Sequence, residues 1–160
     1  MKNNVVDAVN DQIQAEFASA YLYLAMSARF DAMNLKGFAK WLRVQWEEET
    51  GHALKLYDFL LQRDRVVALK TVEAPALTFE TAVQAFEQVL QHEQYVTERI
   101  NALYELALAE RDYPLQTFLH WFINEQVEEE SNAKQILEQL RMVGPAGLLM
   151  IDRHIGKRGS

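Results

Sequence analysis

Glu49-Thr50-Gly51-His52 sets a carboxylate and an imidazole three residues apart, which on a helix is one turn along one face. With sixteen glutamates and four histidines in the chain, such a pair arises by chance about 0.4 times, so alone it decides nothing. Three further glutamates give it weight. Glu16, Glu93 and Glu129, like Glu49, fall among aliphatic and aromatic residues at helical spacing. A glutamate is rarely buried without a partner, and a lone desolvated carboxylate takes up a proton. The stripes that carry these four offer few basic side chains, so a bound cation is the partner that fits. The spacing repeats: Glu16 to Glu49 is 33 residues, and Glu93 to Gln126 is 33 again. The two halves are offset by 77 residues, which pairs Glu49 with Gln126 and His52 with Glu129. One half supplies Glu16, Glu49 and His52. The other supplies Glu93 and, in place of a second Glu-x-x-His, Gln126-Val127-Glu128-Glu129. An oxygen-rich set with one nitrogen suits hard Fe(II)/Fe(III) better than a metal that prefers soft ligands. Glu49 lies between the two clusters and is the natural bridging carboxylate.

Four helices must hold these residues. Glycine and proline are absent from 1–36, 52–74, 76–113 and 115–143, and these stretches are rich in Ala, Leu, Glu and Gln. Apolar residues recur at steps of three and four: Val9, Ile13, Ala20, Leu24; Leu42, Trp46, Ala53, Leu56, Leu60; Phe86, Leu90, Val96, Ile100; Leu115, Leu119, Phe122, Ala133, Ile136, Leu140. The pattern predicts helices over 5–33, 37–63, 79–110 and 114–142. Asn34–Gly37 and Asp112-Tyr113-Pro114 make short turns, and Pro114 suits a helix start. The segment 64–78 is a long crossover, with Thr78 expected to cap the third helix and Glu80 in its first turn. Gly144-Pro145 ends the fourth helix, and 145–155 is expected to form a short fifth. The fold class is therefore all-α, a four-helix bundle of two hairpins joined by one long connection between the second and third helices. At 160 residues the chain reads as one domain, 1–160.

Composition narrows the partners. Lys+Arg number 16 against 23 Asp+Glu, a net charge of −7 that disfavours nucleic acid and anionic membranes and is compatible with cations. The chain has no cysteine, which excludes disulfides, Cys-ligated clusters and thiol catalysis. No apolar run nears the ~18 residues needed to span a bilayer, and Met1–Asp7 lacks a signal-peptide core, so a cytoplasmic protein is the expectation.

The chain resembles the non-haem ferritins, particularly the bacterial type, over about residues 3–156. The resemblance is carried by Glu16 with Tyr23 seven residues on, Glu48-Glu49-x-x-His52, Glu93, and Asn124-Glu125-Gln126-Val127-Glu128-Glu129-Glu130. It implies the ferritin-like bundle and one iron at Glu16, Glu49 and His52. It implies a second at Glu49, Glu93 and Glu129, with Gln126 close by. A third adjacent iron position maps to Glu48, Glu125, Glu128 and Glu129. Tyr23 matches a tyrosine beside the centre, a one-electron donor and hydrogen-bond partner. The implied activity is that of a ferroxidase: two Fe(II) are oxidised by dioxygen to a diferric product, and ferric mineral is stored inside a hollow shell of 24 chains.

Departures sharpen the resemblance. Thr50 stands where a haem-binding bacterioferritin has methionine, and the second Glu-x-x-His is missing, so no haem is expected. Without cysteine the rubrerythrin pattern is excluded. Gln116 and Leu119 occupy positions where animal ferritins place acidic channel residues. A soluble di-iron oxygenase acting on an organic substrate is the alternative; it needs room beside the metals, against which the dense Leu, Phe and Trp stripes argue. A 12-chain mini-ferritin builds its site between subunits, and a metal-free structural bundle would lack ligands. Glu47 and Glu130 read as solvated, Trp41, Trp46 and Trp121 as packing residues, and His92, His120 and His154 carry no separable signal.

Overall fold

The computed structural model describes residues 1–159. Helices α1 (Asn3–Ala32), α2 (Lys36–Gln62), α3 (Ala82–Ala109) and α4 (Tyr113–Val143) are followed by a single 3-10 turn, Pro145–Gly147, and by α5 (Leu148–Ile155). α1 and α2 pack as one antiparallel hairpin and α3 and α4 as the other. The all-α bundle with a long 2–3 crossover is thus the observed architecture. Among the described residues no helix is long and apolar enough to cross a membrane.

Helix ends follow local chemistry. α1, α2 and α3 each close with a residue in the left-handed region: Asn34 (φ 61°), Asp64 (φ 54°) and Arg111 (φ 53°). In each case the next amide reaches back five residues, Leu35 N to Phe30 O, Arg65 N to Leu60 O and Asp112 N to Ala107 O, which satisfies an orphan carbonyl. Asn and Asp tolerate this conformation; for Arg111 it is strained. The expected cap of α3 shifts. Thr81, not Thr78, precedes the helix and accepts a hydrogen bond from Gln84 N at 3.2 Å, so Glu80 lies before the helix and not in its first turn. Asp112 caps α4 by accepting from Leu115 N at 3.1 Å and also takes Arg63 Nη1 at 2.6 Å, tying the end of α2 to the start of α4.

The crossover has no helix or strand of its own and is clipped to α1. Asn10 donates to Val66 O and accepts from Ala68 N, and Gln14 donates to Thr71 O. α5 docks on the start of α2: Asp152 Oδ1 accepts from Phe38 N at 2.9 Å. The crossing requires glycine, because a Cβ on Gly37 would lie 1.7 Å from the Asp152 carbonyl oxygen.

The core has two halves. One collects Tyr23, Met26, Phe30, Phe38, Leu42, Phe79, Phe86 and their neighbours. The other collects Val5, Val9, Ile13, Leu56, Leu60, Ile100, Leu115 and Phe122 with theirs. Each buried Leu, Ile or Phe contributes about 1.5–3 kcal/mol relative to exposure. Between the halves, midway along all four long helices, lies a layer that is not apolar.

Candidate metal centre

That layer contains Glu16, Glu49, His52, Glu93, Gln126 and Glu129, all buried. Each long helix contributes through its inward stripe, so residues spread over more than a hundred positions meet in one section. Glu16, Glu49 and His52 offer three ligand atoms within 4.8 Å of one another, and so do Glu49, Glu93 and Glu129. Glu49 belongs to both groups. His52 Nδ1 lies 3.1 Å from Glu49 Oε2 and 3.9 Å from Glu16 Oε2. The Tyr23 hydroxyl donates to Glu93 Oε1.

Neutral donors hold the carboxylates in place. Gln12 Nε2 donates to Glu16 Oε1 at 3.1 Å. Gln45 Nε2 lies 2.6 Å from Glu129 Oε2 and 3.2 Å from Glu49 Oε1. Gln126 Nε2 lies 3.1 Å from Glu93 Oε2 and 3.2 Å from Thr97 Oγ1. Thr97 in turn donates to Glu130 at 2.6 Å, so half-buried Glu130 is the outer end of a hydrogen-bonded chain and not simply a solvated charge. Gln12 and Gln45 are not among the residues that the sequence pattern singles out. Their signal was there: each lies four residues before a stripe glutamate, and they are themselves 33 residues apart.

The electrostatics are those of a site awaiting positive charge. Burial, then the nearby Glu49 charge, pushes Glu16 well above the usual carboxylate range. Burial, then Glu93 and Glu129, does the same to Glu49. Glu93 is raised by burial against the pull of its Tyr23 and Gln126 hydrogen bonds. Glu129 is pushed up to about 8, by burial first and Glu93 second. The Tyr23 hydroxyl is also raised, by burial and then by Glu93. Glu16 Oε2 is buried without a hydrogen-bond partner. A buried oxygen without a donor, inside a cluster of desolvated carboxylates, is the arrangement that a divalent cation relieves. The residues fit a metal pair sharing Glu49.

The third predicted position is only partly assembled. Glu125 joins His52 and Glu129 in a group within 4.8 Å, with Glu125 Oε1 3.9 Å from His52 Nε2. Glu48 and Glu128 join no such group; Glu128 is exposed, and Glu48 is held by Arg158 at 2.7 Å. His92, which carried no signal, stands beside the centre: it packs edge-on to Tyr23 and shares a 2.7 Å hydrogen bond with Ser19 Oγ. Burial lowers its pKa to about 4, so it is a neutral ring at physiological pH. Trp121 does pack, but against His52 itself, edge-on at 5.2 Å, with the Lys55 ammonium over its exposed ring. Cavities of about 310 and 490 Å³ flank the bundle near α5 and are lined by none of the carboxylates of this layer.

Comparison with known proteins identifies the family. Residues 6–143 match the family model of the ferritin-like domain. The chain is 38% identical over 152 residues to a bacterial non-heme ferritin of Bacteroides fragilis, covering 95% of this chain and 96% of that protein. It is 37% identical over 158 residues to a probable bacterial non-heme ferritin-like protein of Haemophilus influenzae, covering 98% and 96%. Among solved structures, an open-pore ferritin from the archaeon Archaeoglobus fulgidus superposes with a TM-score of 0.97 at 45% identity, covering 99% of this chain and 98% of that one. The carboxylate layer, the crossover bundle and these likenesses along nearly the whole chain have one explanation, which is that this chain belongs to the ferritin family.

Proposed function

We propose that the chain is an iron-storage ferritin subunit that oxidises Fe(II) with dioxygen at an intra-bundle ferroxidase centre and passes Fe(III) to a mineral inside a multi-subunit shell. Fe(II) is substrate and cargo. One ion is taken by Glu16, Glu49 and His52 through Nδ1, and the other by Glu49, Glu93 and Glu129, with Gln126 orienting Glu93. Each Fe(II) surrenders one electron; dioxygen accepts the two, together with two protons, at the level of hydrogen peroxide. The oxygen-rich ligand set favours the ferric product, and the apolar halves above and below exclude bulk water. Tyr23, hydrogen-bonded to Glu93, would supply one electron where dioxygen is reduced beyond the peroxide level. Glu125 and Glu129, with Glu48 as a further carboxylate, make up a third, weaker position, and exposed Glu128 stands outside it.

The sharing of Glu49 by both three-ligand groups is the observation that carries this reading. The 24-chain shell, the cytoplasmic location and the absence of haem belong to the same proposal and rest on the family likeness and on Thr50. The experiment is stopped-flow Fe(II) oxidation by Glu49→Ala. Loss of one ligand from both metals is expected to abolish the fast phase. Wild-type rates in that variant would refute the assignment.

A further inference from the structure

The third cation position is incomplete for a specific reason. Glu48 is not idle: Arg158 Nη2 holds its Oε2 at 2.7 Å, while Arg158 Nη1 donates to Trp41 O at 3.2 Å. The guanidinium also stacks 4.4 Å from the Trp41 ring centroid. With three contacts and a side chain only 21% exposed, Arg158 is a fixed group and not a solvated tail residue. The backbone that delivers it is fixed too. Gly37 and Gly156 meet where a Cβ on Gly156 would come within 2.8 Å of Gly37 Cα, and Asp152 accepts from Phe38 N nearby.

On the two-metal reading, His52 spends its one lone pair at Nδ1, so its Nε2 carries a proton toward Glu125 and cannot serve a third cation. The remaining ligands are carboxylates. Glu128 is exposed and outside the cluster, which leaves Glu125, Glu129 and Glu48. Whether Glu48 is available therefore decides whether a third ion finds two carboxylates or three.

We propose that Arg158 is a specificity-determining residue of the metal centre, holding Glu48 in an ion pair so that the third position binds cations weakly and releases them. The proposal rests on the two-metal reading. Two effects add when Arg158 is removed: a carboxylate is freed from a partly exposed ion pair, and a positive charge leaves the vicinity of an incoming dication. Together they correspond to roughly ten-fold in affinity.

The test uses redox-inert Zn(II) with the metal-free assembled protein, by titration calorimetry and by anomalous diffraction from Zn(II)-soaked crystals. Wild type is expected to show two tight sites per chain and a weak third. Arg158→Ala, and a chain ending at Lys157, should each tighten the third site about ten-fold and give an anomalous peak at Glu48. Arg158→Lys, which keeps the charge but loses the fork and the stacking on Trp41, should fall between wild type and Arg158→Ala. Two tight sites with a third whose affinity ignores Arg158 would overturn this role alone. Fewer than two tight sites in wild type would overturn the two-metal reading and this role with it.

Discussion

Removing all metal should make this protein less stable as pH rises above neutrality, the reverse of what paired surface carboxylates do. The sign follows from the direction of the shifts. Glu129 sits near 8 in the folded chain and near its ordinary 4.5 when unfolded, so between these values the native state holds a proton that the unfolded state has lost. Stability contributed by such a group is complete below the unfolded pKa and disappears as pH climbs through the folded one. Glu16, Glu49 and Glu93 are raised as well and act in the same direction. His92 opposes them, but only at lower pH: its folded pKa near 4 makes the native state gain stability from about 4 to 6.5 and contribute nothing further above. The clean window is therefore pH 6.5 to 8. One excess native proton is worth about 1.4 kcal/mol per pH unit, or about 2 kcal/mol across the window. For a chain of this size that lowers Tm by roughly 4–8 °C. Calorimetry of chelator-treated protein at pH 6.5, 7.25 and 8 reads it directly. Glu129→Gln removes the titrating group while keeping the hydrogen-bonding shape, and should flatten the slope by about one proton. Zn(II) should do the same for wild type, since the cation replaces the proton. A metal-free Tm that is level or rising across this window, or a Gln variant with the full wild-type slope, would refute the electrostatic description of the layer.

Other expectations concern the frame that holds the site. Thr81→Ala should cost about 1 kcal/mol through loss of the α3 cap, whereas Thr78→Ala should be near neutral; urea melts that rank them the other way would return the cap to Thr78. Arg111→Gly should stabilise by about 0.5–1 kcal/mol, because φ 53° is strained for arginine and free for glycine; destabilisation by more than this would mean that the Arg111 side chain does something beyond closing α3.

Periodicity made the four helices legible because long amphipathic stripes are written redundantly: nine or more buried positions per helix say the same thing. The ligands were legible for the opposite reason, since four glutamates contradict the stripes in which they occur. Single residues at edges were not legible. Thr78 and Thr81 are chemically equivalent caps, and the choice depends on how far the crossover extends before α3 can pack, which is a tertiary matter. His92 lies next to Glu93 in sequence, yet its part beside Tyr23 depends on how α1 meets α3. No sequence pattern marks Arg158, and the glycine crossing at Gly37 is what brings it to Glu48. Gln12 and Gln45 could have been found by asking which uncharged polar residues share the carboxylate stripes.

Those two glutamines explain how a bundle can bury four carboxylates and still leave them for a metal. A buried carboxylate must be satisfied, and arginine would do so with charge to spare, but an arginine would also compete with the cation. Here the groups that reach Glu16, Glu49, Glu93 and Glu129 are the amides of Gln12, Gln45 and Gln126, the Tyr23 hydroxyl and the His52 ring. Amides fix direction without neutralising charge. Arg99 comes only as far as Gln12 Oε1, at 3.3 Å, one step removed from Glu16. Protons, which a metal can displace, rather than a fixed cation thus offset the charge of the metal-free layer, and the two apolar halves of the core support the cost of burying it. Arg158 brings positive charge to Glu48, outside the shared pair. Neutral donors thus surround the carboxylates of the proposed metal pair, and a cationic one ties up the carboxylate that the proposed third position would share.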